Sequence, residues 1–141
     1  MITNDQIEEY LIHTGLPFEQ VQEGMWIIHD DLDDIENIVV LHTPPVITFR
    51  VKVLDADNLT EANRPRFFEH LLRLNATMIS GAYGLEDNSV VIMDSLQSEN
   101  LDFNEFQSAL DGIALALRSD YEVLRSLLPS ASAEQQAQTN A

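Results

Sequence analysis

The chain has 141 residues, 24 Asp+Glu against 7 Lys+Arg, a formal net charge of -17, four histidines and no cysteine. That balance argues against a nucleic-acid binder, because displacing phosphate counterions takes Lys and Arg, and it disfavours anionic membrane surfaces for the same reason. With 45% hydrophobic and 22% charged residues the chain is expected to fold rather than stay a disordered acidic tail, and no apolar run reaches the roughly 20 residues that span a bilayer.

A basic partner, or one with a basic segment, would be attracted by this field. High net charge also keeps a protein soluble without any partner. The acidic start MITNDQIEEY lacks the basic and apolar regions of a signal peptide, so the expected location is cytoplasmic. The length suits one domain, expected over residues 1–128. The tail 129–141 has no aromatic and no large aliphatic residue and is expected to be disordered.

Residues Asn4 to His13 read as a helix. Thr3 or Asn4 can cap it, and Ile7, Tyr10 and Leu11 share one face. Gly15 suits a left-handed stop and Pro17 prevents resumption. The period then changes. Met25 to His29, Asn37 to His42 and Val46 to Leu54 are rich in β-branched and aromatic residues and read as three strands of an antiparallel meander. Pro65 opens a second helix with Phe67, Phe68, Leu71, Leu72 and Leu74 as its apolar side and Asn75 as its stop. Two strands follow, near Thr77 to Tyr83 and Ser89 to Asp94, joined by Glu86-Asp87-Asn88. Asp102 and Glu105 have the spacing of a capping box. Beyond them Phe103, Phe106, Leu110, Ile113, Leu117, Tyr121, Leu124 and Leu128 recur at steps of three and four, until Pro129. That stripe reads first as core, with Tyr121, Leu124 and Leu128 able to reach a partner.

Four short stretches resemble one family. They are Thr14-Gly15-Leu16-Pro17, Leu71-Leu72-Arg73-Leu74-Asn75, Gly84-Leu85-Glu86-Asp87-Asn88-Ser89-Val90-Val91 and Leu101-Asp102-Phe103-Asn104-Glu105-Phe106. Their order and spacing, over roughly residues 4 to 128, resemble the class I type III secretion chaperones (CesT/Tir type) and the YbjN-like proteins of the same fold. The resemblance implies an α+β domain of order α-β-β-β-α-β-β-α, with an antiparallel sheet and helices packed on one face. It implies a homodimer that holds a segment of another protein and has no enzymatic activity. The dimer interface it implies is built by the second helix and the strand Thr77 to Tyr83, with Phe68, Leu72, Met78, Ser80, Gly81 and Ala82 as its candidates.

The sheet supplies the second candidate surface. In Val46 to Leu54, residues Ile47, Phe49, Val51 and Val53 alternate with Thr48, Arg50 and Lys52. The first set is the expected core face. A short Pro44-Pro45 turn then brings Ile38, Val40 and His42 to the core and leaves Val39 and Leu41 beside Thr48 and Arg50. The preceding strand adds either Met25 and Ile27 or Trp26 and Ile28 to that outer face. Alternation leaves both registers open, and Trp26 and Ile28 are carried among the candidate partner-binding residues with Val39, Leu41, Thr48, Arg50 and Lys52. An apolar patch with a polar rim is what a partner-binding surface looks like. The competing reading is that another element or a dimer mate covers it.

Catalytic chemistry finds less support. The run Asp30, Asp31, Asp33, Asp34 and Glu36 lacks the glycine and terminal acid of a calcium loop. His13, His29, His42 and His70 show no metal spacing, although His29 and His42 end adjacent strands. No metal or cofactor is expected. Ile79-Ser80-Gly81 lacks the leading glycine of a nucleophile elbow, and Gly81 reads as a bulge or a close backbone approach. Asp94, Glu86 and Asp87 are the carboxylates an enzyme would use, but turn and strand-end positions keep carboxylates ordinary. The third reading is a regulatory adaptor that binds a folded cytosolic protein rather than an extended segment.

Overall fold

In the computed structural model, which describes residues 2–31 and 35–128, each helix is delimited by its own capping chemistry. Thr3 caps α1 (Asn4–Thr14) through a reciprocal box with Gln6, and Gly15 ends it at φ 77°. Asp102 and Glu105 form the same box at the start of α3 (Phe103–Ser126). Each box satisfies two backbone N–H groups that a helix start would otherwise leave unpaired. Pro65 lies in the first turn of α2 (Arg64–Thr77). That helix runs two residues past Asn75, the expected stop. The Asn75 amide is used across space instead: Oδ1 accepts from the Tyr83 N–H at 2.7 Å and Nδ2 donates to the Tyr83 carbonyl at 3.0 Å. A side-chain amide here does the work of a neighbouring strand.

The strands are β1 (Phe18–Gln22), β2 (Met25–Asp30), β3 (Ile35–Thr43), β4 (Val46–Asp55), β5 (Ala82–Glu86) and β6 (Ser89–Gln97). They form one antiparallel sheet in the order β1-β2-β3-β4-β6-β5. The architecture is the α+β one expected, with β1 added before the meander. Phe-Glu-Gln-Val-Gln carries almost no apolar alternation because this edge strand turns only Phe18 partly inward. Its best signal is Gly24 in the turn to β2, at φ 79°. A Cβ there would stand 3.1 Å from the His42 carbonyl oxygen, so glycine is needed for both conformation and space. The strand expected at Thr77 to Tyr83 begins only at Ala82, and Met78 to Gly81 form the connection from α2.

The core lies between the sheet and the helices. Trp26, Ile28, Ile38, Val40, Ile47, Phe49, Val90 and Ile92 come from the sheet; Ile7, Leu11, Phe67, Phe106 and Ile113 come from the helices. Phe49 and Phe106 meet edge to face at 5.1 Å and 72°, the geometry that aligns a positive ring edge with a negative ring face. Burying the Trp26 indole is offset by a 3.1 Å hydrogen bond from Nε1 to Glu8 of α1. The face of β4 holds as expected until Lys52, after which the pairing slips by one residue and Leu54 lies opposite Val90. Val53 is the residue left over. The tail 129–141 and residues 32–34 lie outside the described residues.

His42 closes the core beneath the start of α1. Its Nδ1 lies 2.7 Å from the Asn4 Oδ1, so it is the donor nitrogen, and Nε2 is buried with no hydrogen-bond partner among the described residues. Burial holds this imidazole below its ordinary pKa of 6.5. As pH falls the unfolded chain therefore takes up the proton first, and stability present above the unfolded value declines as pH drops towards the folded one. Denaturant melts between neutral pH and about pH 5 are expected to show wild type losing more stability than His42→Gln. Parallel pH profiles for the two proteins would refute this.

Candidate partner-binding surfaces

The register decides which side chains share the face away from the helices. Ile27 lies opposite Val39, Val39 opposite Arg50, Arg50 opposite Met93, and Met93 opposite Ala82. The next row runs Met25, Leu41, Thr48, Ser95. Met25, Ile27, Val39 and Leu41 thus make a continuous apolar strip across β2 and β3. Leu41 is exposed, and the other three are half-buried. Trp26 and Ile28, carried as candidates for this face, are instead fully buried in the core. The reason is period two: once Val40 packs inward, its partner Trp26 must as well.

Polar pairs rim the strip. Arg50 forms an ion pair with Glu86 across the β6–β5 hairpin. Lys52 Nζ lies 2.8 Å from Asp55 Oδ1, and its ammonium holds the Asp55 carboxyl below the usual carboxylate range. Thr48 and Ser95 hydroxyls are 3.4 Å apart. On the other side His29 stands 3.9 Å from Glu19. Met93 belongs to this surface without having been singled out in the sequence, and Glu86, read there as a turn carboxylate, belongs to it as the partner of Arg50. The alternation Val91, Met93, Ser95 carries Met93, whereas the Arg50–Glu86 contact depends on which strand follows β4 in the sheet.

The α2–β5 end of the molecule exposes a second set. Leu72 is 69% exposed, Ile79 104% and Leu85 54%. Phe68 is half-buried with its ring against Phe67, and Met78 packs partly on the core. Ser80 is exposed and Gly81 half-buried, and both stand near other elements. A Cβ on Gly81 would come within 3.1 Å of the Met93 carbonyl, and one on Gly112 of α3 within 3.0 Å of the Ser80 Oγ. Gly81 therefore marks a close backbone approach. Tyr83 ties β5 to α3 through a 2.7 Å bond to Asp120, and burial followed by that carboxylate raises the phenol pKa.

The chemistry-bearing residues do not converge. Asp94 pairs opposite Phe49 on the core face, Glu86 lies on the outer face, and Asp87 sits in the turn at φ 52°. Burial raises the Asp94 pKa against the opposing effect of the Ser95 backbone N–H, but no second carboxylate stands beside it among the described hydrogen bonds. His29 and His42 lie at opposite ends of the β2–β3 pair, because His42 bonds to Gly24 where β2 begins. Antiparallel pairing separates the ends of consecutive strands by their length. Asp33 and Asp34 lie outside the described residues. Among the described residues no three His, Asp or Glu side chains are grouped to hold a metal, and no helix is long and apolar enough to cross a membrane.

The family model CesT_Tir_1 matches residues 2–128. The chain belongs to that family. No curated protein matches it. Solved structures share the fold at low identity. A protein from Methanothermobacter thermautotrophicus is 11% identical at TM-score 0.69, covering 90% of this chain and 99% of that chain. YbjN from E. coli is 12% identical at TM-score 0.61, over 84% and 90%. A chain of the heterodimeric ExoU–SpcU complex, from the type III secretion system of Pseudomonas aeruginosa, is 17% identical at TM-score 0.59, over 86% and 97%. The CesT_Tir_1 chain described here thus has the sheet and helix arrangement of those proteins.

The facing of β2 is directly testable. Trp26→Ala is expected to cost about 3–5 kcal/mol, as for truncation of a large core aromatic, while Leu41→Ser stays within about 1 kcal/mol. Urea denaturation measures both, and a larger loss for Leu41→Ser would reverse the assignment of faces.

Proposed function

We propose that this chain is a non-enzymatic, chaperone-like domain that works in the cytoplasm as a homodimer and holds a segment of a partner protein. The observation that carries the reading is a sheet covered by helices on one face only, with the Met25, Ile27, Val39 and Leu41 strip on the other. Its polar rim of Thr48, Arg50 and Lys52 fixes orientation, and the apolar strip supplies the contact energy. Membership of the CesT_Tir_1 family supports this. So does the shared fold with a chain from a complex of two different proteins, ExoU and SpcU. The net charge of -17 favours a segment that carries Lys or Arg beside its apolar anchors.

The α2–β5 end is the proposed dimer interface, with Phe68, Leu72, Met78 and Ala82 from the original candidates and Ile79 and Leu85 beside them. Ser80 and Gly81, in the connection between α2 and β5, belong to the same proposed interface. Exposed Leu, Ile and Leu on one end of a small domain are the kind of surface a second copy covers.

In a native lysate, wild type is expected to capture a partner that a still-folded Val39→Asp/Leu41→Asp variant loses. Equal capture by both would remove the outer face from the proposal, and crosslinks spread over a folded partner domain would favour an adaptor. Light scattering after size exclusion is expected to give a dimer mass for wild type and a monomer mass for Leu72→Asp/Ile79→Asp. A monomeric wild type at micromolar concentration would sink the dimer.

A further inference from the structure

β5 is the last strand of the sheet, so one side of its backbone has no strand beside it. An edge of this kind is a template on which another chain can continue the sheet. The strand has five residues, and its antiparallel pairing with β6 leaves only alternate residues with N–H and C=O turned outward. Tyr83 is one of them, because its N–H and its carbonyl are both taken by the Asn75 amide, at 2.7 and 3.0 Å. By alternation Leu85 is the other. Asn75 belongs to α2, which packs against β5, and its side chain stands where the next strand would run. One free residue, Leu85, does not make a ladder.

The same end of the molecule repels a second copy least. Residues 64–85 hold three arginines, Arg64, Arg66 and Arg73, and a single acid, Glu69, of the 24 in the chain. Arg64 donates to the Ala56 carbonyl, and Arg73 pairs with Glu69 at 2.8 Å, so the cations here do not by themselves call for an acidic partner. What the segment lacks is the repulsion that two chains of net charge -17 exert on each other elsewhere. Leu72, Ile79 and Leu85 are its exposed apolar side chains. An apolar end almost free of acids suits a second copy of this chain, whereas a basic segment is drawn to the acid-bearing remainder.

We infer that two copies meet here through side chains of α2 and of the connection Met78 to Gly81, and that Asn75 keeps their sheets from joining. The dimer then holds two separate sheets related by a twofold axis, not one continuous sheet. Joining the two β5 edges would first displace the amide from both Tyr83 groups, exchanging formed hydrogen bonds for new ones at no net gain. The inference rests on the reading of this end as the dimer interface, and it specifies how that interface is made.

Hydrogen exchange followed by NMR on the full-length protein, at concentrations spanning monomer and dimer masses by light scattering, tests it. The Tyr83 amide is expected to exchange slowly at every concentration and the Leu85 amide at a nearly unprotected rate in both states, while the methyl signals of Leu72 and Ile79 shift as the dimer forms. A Leu85 amide that becomes protected on dimerisation means that the edges have joined; it overturns the inference and leaves the dimer standing. A wild type that stays monomeric removes the dimer and the inference with it. Asn75→Ala, with the fluorescence of buried Trp26 as the check on folding, is expected to free the edge: the Tyr83 amide exchanges roughly tenfold faster, and species heavier than the dimer appear on concentration. A folded Asn75→Ala protein with the wild-type mass at all concentrations shows that the amide does not guard the edge, and overturns the inference as well.

Discussion

The pairing of β4 with β6 is the constraint on which the rest of the structure depends. It joins residues about forty positions apart, running from Val46 opposite Gln97 to Asp55 opposite Ser89. It also forces α2 to cross between β4 and β5, so that β5 ends at the far edge instead of beside β4. Every helix then lies on the same side. Phe49 in the middle of β4 receives Phe106 of α3, and the flanking Ile47, Val51, Val90 and Ile92 complete the floor on which all three helices rest. A closure between distant segments is entropically costly, and the continuous apolar face formed by this pairing is what offsets it.

One-sided burial has a direct consequence for function. A sheet with both faces apolar and only one covered must keep the other face tolerable to water. Here the outer face does so by mixing: Met25, Ile27, Val39 and Leu41 are followed across the sheet by Thr48, Arg50 and Lys52, and the cations are engaged by Glu86 and Asp55. Exposed pairs of this kind contribute little to stability, typically about 0–1 kcal/mol. Their effect is to orient side chains around an apolar strip, which is the arrangement a recognition surface needs and a core does not.

Charge adds a second level of organisation. The chain carries 24 acidic residues against 7 basic ones, and five of the seven line the two grooves that flank α3. Long-range attraction is set by the sum and short-range fit by the neighbours.

The sequence by itself determined whatever depends on neighbours in the chain. Asp102 with Glu105 is spaced for a capping box, Thr3 or Asn4 is placed to cap the first helix and Gly15 to end it, and Ile47, Phe49 and Val51 share one face of a strand. These features need only local geometry and period. Tertiary structure decided what depends on partners far away. Trp26 and Ile28 turned inward because Val40 and Ile38 lie opposite them, a register that alternation alone left open. Asn75 became a bridge to Tyr83 instead of a helix stop, β1 formed as an edge on a nearly patternless stretch, and His29 and His42 ended at opposite ends of their strands. The clustering of Lys52, Arg66, Arg73, Arg118 and Arg125 joins three separate elements. No period in one segment encodes such a meeting, because it exists only once the sheet order has brought β4 and α2 to either side of α3.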